Sequence, residues 1–336
     1  MLHTFRTNER FRSRIESALA EMARSLDVGR IGHLDAKALR PIEGQDQRAG
    51  SKPLAVLEAE DGSRFVFKHC DPPLAAAEEA AYELRRLGGR PAVPARGMQL
   101  AIDGAPTFGL LKPYIEFRAS DELAPDTTTW TEEQRAVMLL EHAWEWFLDN
   151  LDTNTSQYAL LGPLRLPLDI DWDRAFSSNG RCELTRFAKY RSTLPNARTF
   201  LYADYVAGKI KLPLWMLSNE ARRIRRLPKH AVIPILQKYA RARFEDAAER
   251  EQFVARMMIR RRSIEREVGT FMRSLWAERK ALELRAESLR EWLQHERVML
   301  WADWQLVLNS VLRGPIGTGA RRALSAVRGL RGASGP

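Results

Sequence analysis

Apolar residues near the start of the chain recur at helical spacing and then give way to alternation. Ile15, Leu19, Met22 and Leu26 fall at the three-and-four steps of an amphipathic helix over 11–26. After a candidate opening strand at 38–42 and a polar loop at 44–52, residues 53–60 alternate toward Asp61-Gly62, and 64–69 returns. Asp-Gly supplies the positive φ of a tight turn, so a β-hairpin is predicted, with Lys68 near the end of its second arm. Asp71-Pro72-Pro73 stops that strand and opens a helix that Gly88-Gly89 ends. On it Leu74, Ala77, Ala81, Leu84 and Gly88 share one face, Glu78 borders the face and Glu79 points largely away. Two further strands, 97–102 and 107–115, flank Asp103-Gly104. Strand, strand, helix, strand, strand describes a small mixed lobe of roughly 85 residues.

From Thr131 the pattern becomes helical. Thr131 with Gln134 matches a capping box, and the stripe Val137, Leu140, Trp144, Phe147 runs directly into Asn150-Leu151-Asp152. A turn and short strand at 163–168 lead to Asp171. Helices are expected over 213–226, 231–239 and 247–266, with a separate one from 268 to about 312. The expected organisation is an N-terminal helix (1–30), a small lobe (31–116), a helical lobe (117–266), a helical extension (267–312) and a basic disordered tail (313–336).

Composition narrows the partners. The 336 residues are 45% hydrophobic and 29% charged, as in ordinary globular proteins. Fifty-three Lys and Arg against 43 Asp and Glu leave a net charge of +10, which favours anionic partners without choosing among them. The runs at 222–226 and 260–262 are candidate phosphate-binding surfaces or solvated helix faces. Neither has interleaved aromatics, so nucleic acid is not an expected partner. Cys70 and Cys182 indicate neither a disulfide framework nor a cysteine zinc site. No signal-peptide stretch opens the chain and no run approaches the ~18 apolar residues of a bilayer span, so a cytoplasmic protein is expected.

The chemistry lies in two acidic motifs, Asn150-Leu151-Asp152 with Gln157 beyond it, and Ile170-Asp171-Trp172-Asp173. Phosphoryl transfer asks a protein for a cation on the phosphates, oxygen ligands for a metal and a base beside the acceptor hydroxyl. Lys68 is the candidate cation, and Glu78 the helix carboxylate that would hold it. Asp152 is the candidate base, while Gln157 and Asp171 are candidate ligands for Mg²⁺. Gly44 and Ser51 are candidates for a phosphate cradle, and Lys112 and Tyr114, in the connecting segment, for lining the nucleotide. Taken singly, Asp152 could cap a turn with Asn150 and Asn154, and Asp169, Asp171 and Asp173 could form a wet strand edge. Their order along the chain favours the site.

That order resembles the kinase-like phosphotransferases. The Asn-x-Asp pattern at 150–152 is similar to the atypical branch that includes phosphatidylinositol 3/4-kinases, HipA toxin kinases and secretory-pathway kinases. So is Glu78-Glu79-Ala80-Ala81-Tyr82-Glu83-Leu84 followed by Gly88 and Val93-Pro94. Ile170-Asp171-Trp172-Asp173 resembles aminoglycoside and choline phosphotransferases. The resemblance spans roughly residues 38–240. It implies an α+β, bilobal protein-kinase-like fold, ATP and Mg²⁺ in the cleft, Lys68 on the phosphates, Asp152 as base and Asp171 on metal. Three features depart from it: Thr153-Asn154 follow the aspartate, Gln157 replaces the usual asparagine, and the phosphate loop is faint.

The expected activity is therefore an ATP- and Mg²⁺-dependent phosphotransfer to a hydroxyl acceptor. The alternative is a weakly active pseudokinase scaffold that binds a partner through its C-terminal helices. There Leu275, Leu282 and Leu289 recur every seven residues, and Trp276, Trp292, Trp301 and Trp304 precede a basic tail. Such a helix could pair with another, lie on an anionic membrane surface, or pack back on the helical lobe.

Overall fold

In a computed structural model the fold is described for residues 2–26, 39–42, 48–49, 52–102, 105–115, 123–150, 157–179 and 197–284. The Asp61-Gly62 turn closes the expected hairpin: Gly62 has φ 80°, and the Asp61 carboxylate accepts from the Ser63 amide. Strand β3 (Lys52–Glu58) pairs antiparallel with β4 (Arg64–His69). The short strands β1 (Arg40–Pro41) and β2 (Arg48–Ala49) pair with the outer edge of β3. On the other side β4 pairs with β6 (Ala105–Pro113), and β6 with β5 (Arg96–Ile102), giving one antiparallel sheet ordered β1-β3-β4-β6-β5. Phe65, Phe67, Leu57, Leu100 and Leu111 form the core of one sheet face. The other face meets helix α2 (Pro72–Leu87), where Ala75 packs with Ala95 and Leu110.

Helix α2 is framed as its sequence predicts. Asp71 caps it by accepting from the Leu74 amide, and the chain leaves through Gly88 and Gly89. A Cβ on Gly88 would sit 2.4 Å from the Trp144 ring, so glycine allows close approach to the helical layer. That layer is built on α3 (Glu132–Leu148), buried without interruption from Ala136 to Leu148 and entered through the expected capping box of Thr131 and Gln134. Around it pack α4 (Ala197–Val206), α5 (Leu214–Arg226), α6 (Lys229–Arg243) and α7 (Ala247–Leu284). A hairpin of β7 (Tyr158–Leu161) and β8 (Leu166–Asp169) lies against α3. Helix α1 (Leu2–Leu26) begins earlier than its stripe suggests and buries Ile15, Leu19 and Met22 against Val137 and Leu140. The fold is α+β, a small antiparallel sheet beside a helical part. Among the described residues, no helix is long and apolar enough to cross a membrane.

Two expectations about the C-terminal helices need correction. The predicted break between 266 and 268 does not occur: Met257, Ile264, Val268, Phe271 and Leu275 hold one buried stripe along α7. The arginine run interrupts the apolar pattern without interrupting the helix, because two of its members are buried. Arg260 Nε donates to the carbonyls of Trp146 (2.8 Å) and Phe147 (3.1 Å), and Arg261 Nη1 to that of Arg225 (2.6 Å). They satisfy the orphan carbonyls at the ends of α3 and α5, where cations also oppose the helix dipole. Arg260 and Arg261 are therefore neither a solvated face nor a phosphate-binding surface. Trp276 is exposed, while Leu275 packs back on the helical core. Residues 285–312 and the tail lie outside the described residues.

Candidate active site

Strand alternation puts two lysines on one face of the sheet. Residues paired directly across an antiparallel ladder point to the same side. In the β4–β6 register Lys68 stands opposite Leu110 and Val66 opposite Lys112, while Phe65 and Phe67 turn to the other face. Lys68 and Lys112 are thus neighbours on the face that meets α2. Gly109 lets these strands close beside them: a Cβ there would sit 2.5 Å from the Lys68 carbonyl oxygen and 2.6 Å from the Phe67 ring.

Three carboxylates meet the two ammonium groups. Lys68 Nζ donates to Asp171 Oδ1 (2.9 Å) and Oδ2 (3.1 Å) and to Asp173 Oδ2 (3.0 Å). Lys112 Nζ donates to Glu78 Oε1 and to the Ile170 carbonyl. The cluster joins the sheet and α2 to the segment after β8. Burial alone would lower the Lys68 pKa, but the charges of Asp171, Glu78 and Asp173 outweigh it and raise it above the usual lysine range. Burial raises the Glu78 carboxyl, the Asp171 charge adds to the effect, and Lys112 and Lys68 oppose it. Among the described residues, buried Glu78 Oε2 has no hydrogen-bond partner.

Behind the cluster the Asp-Trp-Asp segment is fixed from both ends. Upstream, Asp169 Oδ1 accepts from the Asp171 amide (3.0 Å) and Asp169 Oδ2 from Asn150 Nδ2 (3.4 Å). Asp169 is fully buried, and burial, with the charges of Glu145 and Glu141, raises its pKa well above the carboxylate range. Downstream, the Phe176 amide donates to the Leu148 carbonyl (2.7 Å) and the Ser178 amide to Asp149 Oδ2 (2.9 Å). Asp149 ends α3 in the left-handed region at φ 57°. Trp172 lies 4.7 Å under the Arg85 guanidinium, which is itself held by two 2.7 Å bonds to Glu141.

Of the residues singled out in the sequence, Lys68, Glu78, Lys112 and Asp171 come together here. The expected direct hold of Glu78 on Lys68 is replaced by Glu78 with Lys112 and Lys68 with the two aspartates. Gln157 is close in chain terms, since its carbonyl accepts from the Ile170 amide (2.9 Å). Tyr114 ends the ladder, its amide donating to the Arg64 carbonyl (2.8 Å), with no part in the ion cluster. Asp152, Gly44 and Ser51 lie outside the described residues. Asp173 was legible only as a further carboxylate two positions past Asp171; it lies in the turn that follows β8, where strand alternation does not apply. The Arg85–Glu141 pair left no local signal, its members being distant in sequence.

Among the described residues, no three His, Cys, Asp or Glu side chains gather as a metal cage. Asp171 and Asp173 offer two hard carboxylates, with Asp171 about 32% exposed. That donor set fits Mg²⁺, which binds through one or two carboxylates and takes its other oxygens from water and phosphate.

No model of a known protein family matches the chain, and no curated protein matches it. Its fold is similar to the structure of a Helicobacter pylori proinflammatory kinase, CtkA. The identity is 9%, covering 70% of this chain and 96% of that one, at a TM-score of 0.44. It is also similar to the Golgi casein kinase, at 13% identity over 77% of each chain and a TM-score of 0.40. A putative aminoglycoside phosphotransferase from Ralstonia eutropha is similar at 10% identity, over 76% of this chain and 98% of that one, with a TM-score of 0.26. Likenesses of this degree leave the functional reading to the residues of the site.

Proposed function

We propose that the protein is an ATP- and Mg²⁺-dependent phosphotransferase acting on a hydroxyl acceptor, with the Lys68 cluster at the phosphate end of its cleft. The observation that carries this reading is the meeting of Lys68 with Asp171 and Asp173. Two metal-competent carboxylates each lie within 3.1 Å of one ammonium group, across the junction of sheet and helical layer. In this reading Lys68 neutralises the α and β phosphates, and Asp171, Asp173 and Gln157 hold Mg²⁺, which would offset charge on the phosphate oxygens. Asp152 accepts the acceptor's hydroxyl proton as that oxygen bonds to the γ-phosphorus, and the bond to the β–γ bridging oxygen breaks to release ADP. Glu78 acts on Lys68 through its charge, while Lys112 fixes Glu78 to the backbone of the Asp171 segment. The acceptor is a protein, lipid or small-molecule hydroxyl.

A second reading, a pseudokinase scaffold that docks a partner through its C-terminal helices, is favoured by one observation. Lys68 engages both aspartates at once, so a metal must displace an ion pair before it binds. Thermal unfolding with ATP, with and without Mg²⁺, on the wild type and Asp171→Asn separates the two. The phosphotransferase reading expects a metal-dependent rise in Tm that the variant loses. No rise under any condition rejects it in favour of the scaffold.

A further inference from the structure

Helix α2 runs on past Glu78 for roughly 15 Å to Gly88, and at that end a second site opens. A cavity of about 460 Å³ lies where the end of α2 meets α1 and the turn between α5 and α6. Five arginines line it, Arg12, Arg90, Arg222, Arg223 and Arg226, against two acids, Glu16 and Glu220. The acids are already used. Buried Arg90 donates through Nε to Glu220 Oε1 (2.7 Å) and through Nη1 to Glu16 Oε2 (2.8 Å), and Arg223 Nη2 donates to Glu16 Oε1 (2.8 Å). Burial would raise Glu16, but the hydrogen bond and charge of Arg90, with the charges of Arg223 and Arg12, lower it on balance, so it stays ionised.

The five guanidinium groups outnumber the two lining carboxylates by three, and one of the three is met from outside the cavity. Arg222 is shared with Glu265 outside the cavity, at 3.3 Å. Arg12 and Arg226 are exposed, and among the described residues neither has a hydrogen-bond or ion-pair partner. Helix α6 starts at the cavity rim behind Pro228 with no side-chain cap, so its first amides add positive potential. Guanidinium forks match phosphate geometry, and a single carboxylate would leave one of the two charges uncompensated. We propose that this cavity binds a small phosphorylated anion carrying at least two negative charges, gripped by Arg12 and Arg226 over the rigid Arg90–Glu16–Glu220 floor.

The inference goes beyond the phosphotransferase reading and is tested apart from it. Pyrophosphate is titrated calorimetrically into the full chain, into Lys68→Met to exclude the cleft, and into the double variant Arg12→Ala/Arg226→Ala, whose changes are exposed and should leave folding intact. The expected result is equal binding by wild type and Lys68→Met, with at least about tenfold weaker binding by the double variant, since each charged hydrogen bond is worth that order. Binding alike in wild type and double variant, or no binding by wild type, overturns the proposal. Sedimentation with phosphatidylcholine vesicles doped with phosphatidylinositol 4-phosphate distinguishes the sources. Sedimentation that the double variant loses supports the site and makes the phosphate a lipid headgroup. Pyrophosphate binding without sedimentation supports it with a soluble phosphate.

Discussion

The buried pair Arg85–Glu141 should be the strongest single electrostatic element behind the site. Its side chains are 0% and 2% exposed, and the guanidinium meets both carboxylate oxygens at 2.7 Å. Arg85 also donates to the Pro91 carbonyl at 2.8 Å and lies 4.7 Å over Trp172, so it ties α2, α3 and the Asp171-Trp172-Asp173 segment together. Replacing Glu141 by Leu leaves a guanidinium charge buried beside an apolar group, which costs about 3–5 kcal/mol. Arg85→Met leaves the Glu141 carboxylate in the same position and should cost a similar amount, plus the contact with Trp172. The double variant Arg85→Met/Glu141→Leu buries no charge at this point and should lie within about 1–3 kcal/mol of wild type, losing mainly the Pro91 bond and the cation–π contact. At roughly 2–4 °C per kcal/mol, either single change should lower Tm by roughly 6–20 °C, and the double variant should recover much of it. Urea unfolding of the four proteins gives the coupling energy directly, expected at about 3 kcal/mol or more. Additive losses in the double variant, or a single variant within a degree of wild type, would refute the reasoning.

Gly109→Ala should lower Tm and weaken the Mg²⁺-dependent response to ATP together. The new Cβ meets the Lys68 carbonyl and the buried Phe67 ring, an overpacking that costs about 1–3 kcal/mol and moves Lys68 with its strand; an unchanged Tm in a thermal scan would contradict it. Asp169 governs a pH effect. Its folded pKa is raised, whereas in the unfolded chain it titrates near 3.9. Between that value and the folded pKa the native state holds a proton the unfolded chain has released, so this contribution falls as pH rises through the window. Urea stability measured from about pH 4 to 8 should therefore decline less in Asp169→Asn than in wild type, and parallel profiles would exclude the assignment.

Where local chemistry alone decides an element, the sequence could be read directly. Asp61-Gly62 makes the hairpin, Asp71 with two prolines starts α2, Gly88 and Gly89 end it, and Thr131 with Gln134 opens α3. Where a distant element decides, it could not. Arg260 and Arg261 read as a charged break in a helix because the carbonyls they cap belong to α3 and α5, more than thirty residues away in sequence. The same limit explains Arg85 and Glu141, which are ordinary polar positions until α2 and α3 are packed.

The partner of Glu78 shows how the two kinds of information combine at the site. Spacing gave a lysine on a strand and a glutamate on the next helix. Only the register of β4 with β6 shows that a second lysine shares the face, with Lys112 beside Val66 two positions from Lys68. Two ammonium groups then face three carboxylates, Glu78, Asp171 and Asp173, and the local sum is one negative charge. On the proposed reading, a divalent cation competes with Lys68 for the oxygens of Asp171 and Asp173, because those oxygens are its ligands as well. Displaced from them, the Lys68 ammonium would have two destinations: the nucleotide phosphates and Glu78, whose charge it already feels and whose Oε2 has no hydrogen-bond partner among the described residues. On that reading, the lysine–glutamate pairing expected from the sequence would be a second setting of the cluster whose lysine–aspartate pairing is the one observed. Lys112 holds Glu78 in the observed arrangement, and the sharing of one face by the two lysines follows from a strand register that no residue spacing encodes.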